Sequence, residues 1–268
     1  SIGDKVNTLF KLKEKEMPIG FFDSGVGGLS VMKEALKIMP NENYIYFGDS
    51  INAPYGVKSV EEVRALTFKA VEFLLSKGVK GIAIACNTAT SAAVADLRVK
   101  YPNLPLVGIE PAVKPAVELK ENGNILIMAT PMTIKEAKFN RLMDRYKDRA
   151  NIIPVPCPGL VEFIESGKFE GKEIETYLNE RLNEYKKANI SAIVLGCTHY
   201  PFIKPVLTKI FGENTSIIDG GMGTVKELKR RLMNEDLLND SDNDGNIEII
   251  NSSNQDRVIE LSYNLLEI

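Results

Sequence analysis

Two stretches of this chain carry residue types that could do chemistry. Ala83-Ile84-Ala85-Cys86-Asn87-Thr88-Ala89-Thr90 has a distant counterpart in Ile193-Val194-Leu195-Gly196-Cys197-Thr198-His199-Tyr200-Pro201. Each is a short apolar run that stops at a cysteine and continues in small polar residues. Such runs, bounded by turn residues, read as buried strands of a parallel sheet. Ligands of open α/β sheets bind at the carboxyl ends of strands, beside helix N-termini. One such cysteine alone would read as a small core hydrophobe. Two in the same context point to paired thiol chemistry. His199 is the only histidine in the chain and lies two residues past Cys197, where it could tune that thiol.

Other constellations carry less. A zinc site from Cys86, Cys197, His199 and a carboxylate is chemically conceivable, but no short C-x2-C spacing supports it. Neither cysteine sits in a G-x-C-x-G elbow, which excludes a hydrolase of that type. Gly25-Val26-Gly27-Gly28-Leu29-Ser30 has serine where a dinucleotide fingerprint needs its third glycine. A tight strand-to-helix turn whose N–H groups hold a carboxylate fits better. Asp23, just before it, reads either as a capping residue or as a base or orienting acid. Asp240-Ser241-Asp242-Asn243-Asp244-Gly245 begins like a calcium loop, yet Asn251 stands where the bidentate glutamate belongs. It reads as a solvated turn.

The elements that must position these residues follow a repeated strand–helix order. Expected strands are 19–23, 44–47, 83–85, 106–109, 124–128, 152–155, 193–195, 216–219 and 247–250. Expected helices run from 29 to about 37 and over 59–77, 88–100, 159–166, 172–187, 224–234 and 255–266. Asp23 and Cys86 are 63 residues apart, and Thr130 and Cys197 are 67 apart. This parallel predicts an α/β protein of two similar lobes facing each other, with mainly parallel sheets flanked by helices. The expected division is an N-terminal extension (1–16) outside the core, a first lobe (17–109 plus 219–268) and a second (110–218).

Bulk properties agree with a globular protein. The chain has 268 residues, 44% hydrophobic and 26% charged, enough to bury a large core. A net charge of −3 gives no reason to expect nucleic acid or an anionic membrane as partner. No apolar run approaches membrane-spanning length. Three cysteines in a chain this long suggest free thiols in a reducing cytoplasm.

Six motifs in order resemble the glutamate racemases: Phe22-Asp23-Ser24-Gly25-Val26-Gly27-Gly28-Leu29, Gly48-Asp49-Ser50, Pro54-Tyr55-Gly56, Ala85-Cys86-Asn87-Thr88-Ala89-Thr90, Gly108-Ile109-Glu110-Pro111 and Gly196-Cys197-Thr198-His199-Tyr200-Pro201. They span most of residues 17–219. The resemblance implies two α/β lobes related by a pseudo-twofold axis with the active site between them, and racemisation of glutamate without pyridoxal phosphate or any other cofactor and without metal. It also implies cytoplasmic supply of D-glutamate for peptidoglycan, and a homodimer. It assigns Cys86, with Asp23 nearby, to the D-glutamate face, and Cys197, assisted by His199 and Glu165, to the L-glutamate face. Ser24, Tyr55, Gly56, Asn87, Thr88 and Thr198, with Asp23 and His199, would bind substrate. Cys157 would be structural. Racemisation explains the pair: one group removes the Cα proton as thiolate while its opposite number supplies a proton as thiol. Helix N-termini after both strands would favour the thiolate form. The competing class is a non-catalytic binder of amino acids or dicarboxylates, which needs carboxylate donors but not two thiols.

Overall fold

The computed structural model describes residues 2–267. It divides into two compact units, residues 2–109 with 221–267 and residues 110–220. In chain order the first unit opens with α1 (Ile2–Glu16), β1 (Ile19–Asp23), α2 (Leu29–Ile38), β2 (Tyr44–Gly48), α3 (Val60–Ser76), β3 (Gly81–Ile84), α4 (Asn87–Lys100) and β4 (Leu106–Gly108). The second holds α5 (Val113–Leu119), β5 (Asn124–Ala129), α6 (Pro131–Lys135), α7 (Ala137–Tyr146), β6 (Asn151–Pro156), α8 (Leu160–Glu165), α9 (Lys172–Leu182), β7 (Ile190–Leu195), α10 (Lys204–Phe211) and β8 (Ser216–Asp219). The chain then returns to the first unit through α11 (Gly221–Asn234), β9 (Ile247–Asn251) and α12 (Asp256–Glu267).

The first sheet is parallel throughout, in the order β4-β3-β1-β2-β9. β1 and β3 are buried along their whole length, as strands covered on both faces must be. The glycines show the two covers. A Cβ at Gly20 would meet Leu74 of α3, and one at Gly81 would meet Leu232 of α11, each at 3.1–3.2 Å. Phe22, Ile82 and Ile84 pack with α3 and α4 on one face. α2, α11 and α12 pack together on the other. The second sheet, also parallel, runs β6-β5-β7-β8. Ile125, Ile127, Ala192 and Val194 pack there against α5 and α7. Two parallel sheets flanked by helices are the expected α/β class.

Beyond α1, four helices escape the sequence reading: α5, α6, α7 and α10. The expected second boundary at 219 moves to 221, because Asp219 pairs with Leu195 in the second sheet. Residues 2–16 form a full helix without a buried residue. Its polar side faces the first unit: Lys15 reaches Asp240 at 2.9 Å and Asp236 at 3.3 Å, and the Lys11 ammonium donates to the Glu235 carbonyl. The Lys80 ammonium donates to the Lys15 carbonyl at 2.6 Å and to Leu237 O at 2.8 Å, and is paired with Glu42. Both side chains of that pair are 3% exposed. The calcium-like segment is thus a turn, anchored through Asp240 to α1. No helix among the described residues is long and apolar enough to cross a membrane.

Candidate active site

In the first unit the sequence-chosen residues meet at the carboxyl edge of the sheet. β1 ends at Asp23, with Ala85 N–H donating to Phe22 O at 2.7 Å and Asp49 N–H to Asp23 O at 3.0 Å. Cys86 is therefore one strand from Asp23. It is 6% exposed and caps α4, where the Ala89 N–H points at its sulfur at 3.5 Å. Its thiol donates toward the Ser24 hydroxyl at 3.7 Å. Asn87 and Thr88, both half-buried, open α4 directly after it.

Asp23 is 2% exposed, and its Oδ2 accepts the N–H groups of Gly25 and Gly28, each at 3.1 Å. The carboxylate held by these two donors of the glycine turn is the chain's own, that of Asp23. Only glycine fits at position 28, since a Cβ there would stand 2.6 Å from that of Asp23. Tyr46, fully buried, fixes the turn by donating to Gly25 O at 2.6 Å.

Tyr55 and Gly56 sit on a one-turn 3-10 segment, Tyr55–Val57. Tyr55 is buried against Phe22, and its hydroxyl donates to Asp49 Oδ2 at 2.5 Å. Asn52 donates to the same carboxylate at 3.0–3.1 Å. Asp49 is a residue the sequence reading quoted without giving it a role. The signal was its place in Gly48-Asp49-Ser50, immediately after a strand.

The Cys86 thiol is pushed up to about 12 by burial, with the Asp23 charge adding to the rise. The Ala89 N–H and Ser24 contacts act in the opposite direction but do not offset it. The expectation that a helix N-terminus makes this cysteine a ready thiolate is therefore corrected. Without substrate, Cys86 rests as a thiol, the proton-donating form.

The second unit assembles a different set. β7 ends at Leu195, and the Gly196 N–H continues the ladder to Met128 O at 2.7 Å. Cys197 and Thr198 follow at the strand end. The Cys197 sulfur lies 3.8 Å from His199 Nδ1, and His199 Nε2 lies 2.6 Å from Glu165 Oε1 at the last turn of α8. The three side chains form one line: thiol, imidazole, carboxylate. His199 is 8% exposed. Burial alone would lower its pKa, but hydrogen bonds to Cys197 and Glu165 outweigh that and hold it well above the ordinary histidine value. As imidazolium it offers Nδ1–H to the sulfur.

Cys157 follows β6 and is 1% exposed, its thiol donating to Val155 O at 3.4 Å. Burial pushes it up to about 12, as suits an inert core thiol. Thr130 follows β5, the neighbour of β7, and its oxygen caps α6 by accepting the Thr133 N–H at 3.2 Å while donating to the Thr133 hydroxyl at 3.0 Å. Among the described residues no three His, Cys, Asp or Glu side chains cluster as metal ligands.

Comparison with known proteins agrees with these geometries. The family model for Asp/Glu/Hydantoin racemase matches residues 24–228. A glutamate racemase of Clostridium botulinum is 59% identical over 256 residues, covering 96% of this chain and 99% of that one. One from Clostridium perfringens is 56% identical, covering 95% and 98%. Among solved structures, glutamate racemase isoform RacE1 of Bacillus anthracis superposes with a TM-score of 0.81 at 30% identity, covering 95% of both chains. The Francisella tularensis glutamate racemase, solved in complex with D-glutamate, gives a TM-score of 0.77 at 30% identity over 95% of both chains. The chain belongs to the Asp/Glu/Hydantoin racemase family, among its glutamate racemases.

Proposed function

We propose that this protein interconverts L- and D-glutamate by a two-thiol mechanism, without cofactor or metal, and so supplies D-glutamate for peptidoglycan in the cytoplasm as a homodimer. One observation carries the reading. Each unit ends one strand in a cysteine, and each cysteine has its own acid–base surroundings: Asp23 and Ser24 for Cys86, His199 and Glu165 for Cys197.

The two environments suit opposite halves of one reaction. In the L-to-D direction Cys197, as thiolate, takes the Cα proton of L-glutamate, and the Cys86 thiol delivers its own proton to the opposite face. The Cα electron pair left by the first step forms the new C–H bond of the second. Cys86 becomes thiolate and Cys197 thiol, and the reverse reaction restores them. A thiol that rests protonated, as Cys86 does, is prepared to give a proton. Hydrogen bonding from a histidinium is prepared to hold a thiolate. Substrate binding is assigned to Ser24, Tyr55, Gly56, Asn87, Thr88 and Thr198, with Asp23 and His199 beside the thiols. The Tyr55 hydroxyl proton is committed to Asp49, so toward substrate its oxygen can only accept.

Circular dichroism of L-glutamate incubated with the pure protein tests the proposal. The signal decays to zero, and a chelator leaves the rate unchanged. A stable signal, or activity lost to EDTA and restored by zinc, refutes it. A non-catalytic binder of glutamate would show no exchange of the Cα proton with deuterated solvent.

A further inference from the structure

Tyr200 follows Cys197 by three residues, and its N–H donates to the Cys197 carbonyl at 3.1 Å, closing a single turn that carries both side chains. The residue is 0% exposed, and its hydroxyl has no hydrogen-bond partner among the described residues. Such orphans are rare in folded proteins, and each costs stability that a phenylalanine would not. An orphan donor beside a group that changes charge is explained if its partner exists only in the charged state.

The turn makes Cys197 the candidate partner, since it carries that sulfur and the Tyr200 ring three residues apart. Of the ionisable groups that act on Tyr200, Cys197 also stands first, ahead of Cys157, Tyr177 and Glu162. Tyr177 already donates to the Pro158 carbonyl at 2.7 Å, and the Cys157 thiol to Val155 O. Glu162 is exposed. Cys197 is the member of this set that gains and loses a charge in the proposed cycle. We propose that the Tyr200 hydroxyl donates a hydrogen bond to the Cys197 sulfur in its thiolate state, as a second donor beside His199 Nδ1. A neutral phenol suits this task because it stabilises the anion without adding a charge that would have to be removed when the proton returns. Burial raises the phenol well above its ordinary value, so it keeps its proton throughout.

The role rests on Cys197 cycling through a thiolate, and the test separates the two ideas. Tyr200→Phe removes one oxygen from a site where that oxygen is unbonded, so the fold survives and the melting temperature holds or rises. Iodoacetamide labelling at pH 7.5 without substrate, read by peptide mass, follows Cys86, Cys157 and Cys197 separately. In the variant, labelling of Cys197 is expected to slow about threefold, because the sulfur loses one hydrogen bond to its charged form while higher intrinsic nucleophilicity offsets part of the loss. Labelling of Cys157 stays at the parent rate. Racemisation kcat falls about tenfold in both directions, with KM within about twofold. An unchanged labelling rate at Cys197 overturns the proposal, whatever happens to kcat. If the parent protein fails to racemise glutamate, the proposed function falls, while the labelling comparison still reports on the Tyr200 contact.

Discussion

Glu165→Gln isolates the charge at the far end of the Cys197–His199–Glu165 line. The amide keeps the size of the carboxylate and can still accept from His199 Nε2, which lies 2.6 Å away in the parent. What is lost is charge assistance. Hydrogen bonds to charged groups contribute about 1.5–3 kcal/mol and neutral ones about 0.5–1.5 kcal/mol, a difference of about 1–1.5 kcal/mol. The Glu165 side chain is 35% exposed, so solvent screens part of this. At about 1.4 kcal/mol per factor of ten, kcat should fall roughly 3- to 10-fold in both directions, with little change in KM. Truncating the imidazole, His199→Ala, should cost about 10²–10⁴ in kcat, the usual range for a general acid–base partner. The pH profile supplies a second readout. With the carboxylate gone, burial of His199 is less opposed, so the imidazolium titrates at lower pH and the alkaline limb of the kcat profile moves down. Stability follows the same sign. A histidine held above its unfolded value contributes stabilisation that is complete below about pH 6.5 and is lost as pH rises through the folded value. The melting-temperature deficit of Glu165→Gln should therefore be largest near pH 6 and shrink on the alkaline side. Circular-dichroism initial rates and melting curves from pH 6 to 10 measure both. A Glu165→Gln protein with the parent kcat and an unmoved alkaline limb would refute the line as a working unit.

Cys86→Ser and Cys197→Ser should each abolish racemisation, since an unactivated hydroxyl is a far weaker base than a thiolate. With an analogue bearing a β-leaving group, Cys86→Ser should still eliminate from the L-form and Cys197→Ser from the D-form; equal loss with both enantiomers in both variants would contradict one thiol per face. Gly28→Ala places a Cβ 2.6 Å from that of Asp23 and 3.0 Å from that of Ala85. It should destabilise by about 1–3 kcal/mol, measured by urea denaturation, and a neutral result would mean the turn relaxes freely. Lys80→Met leaves Glu42 buried and charged without its ammonium, at a cost of about 3–5 kcal/mol. Glu42→Leu added to Lys80→Met should recover most of that loss, and no recovery would show that the carbonyl contacts matter more than the pair.

The strands were legible because a parallel sheet covered on both faces demands unbroken apolar runs. Ile19-Gly20-Phe21-Phe22 and Gly81-Ile82-Ala83-Ile84 leave little else to be. The missed helices have individual causes. α5 contains Pro115, which reads as a breaker but stands in the first turn, where no N–H partner is needed. α10 starts with Lys204-Pro205 for the same reason. α7 did carry a helical signal in Phe139, Leu142, Met143 and Tyr146, hidden among charges. At the candidate site, strand-end chemistry marked Cys86, Cys197, Asp23 and His199. The balance of burial against helix N-termini was not legible, because it depends on how completely Cys86 is enclosed. Nor was the Asp49–Tyr55 bond, which joins two motifs through a loop whose path sequence does not specify. Glu165 was reached through family resemblance alone, and its 2.6 Å approach to His199 spans 34 residues of chain.

The glycine turn after β1 has the outward form of a phosphate loop, and its chemistry is opposed to phosphate. Asp23 fills it with a fixed negative charge bonded to the Gly25 and Gly28 N–H groups. A nucleotide approaching that turn would meet repulsion even if Ser30 were glycine. The turn is thereby insulated from the phosphorylated metabolites and inorganic phosphate that crowd a cell, whose charge would otherwise draw them to a helix N-terminus. Replacing Asp23 with alanine would remove that insulation and expose both donors. The variant would then be expected to bind inorganic phosphate there, a sensitivity the parent turn is built to lack.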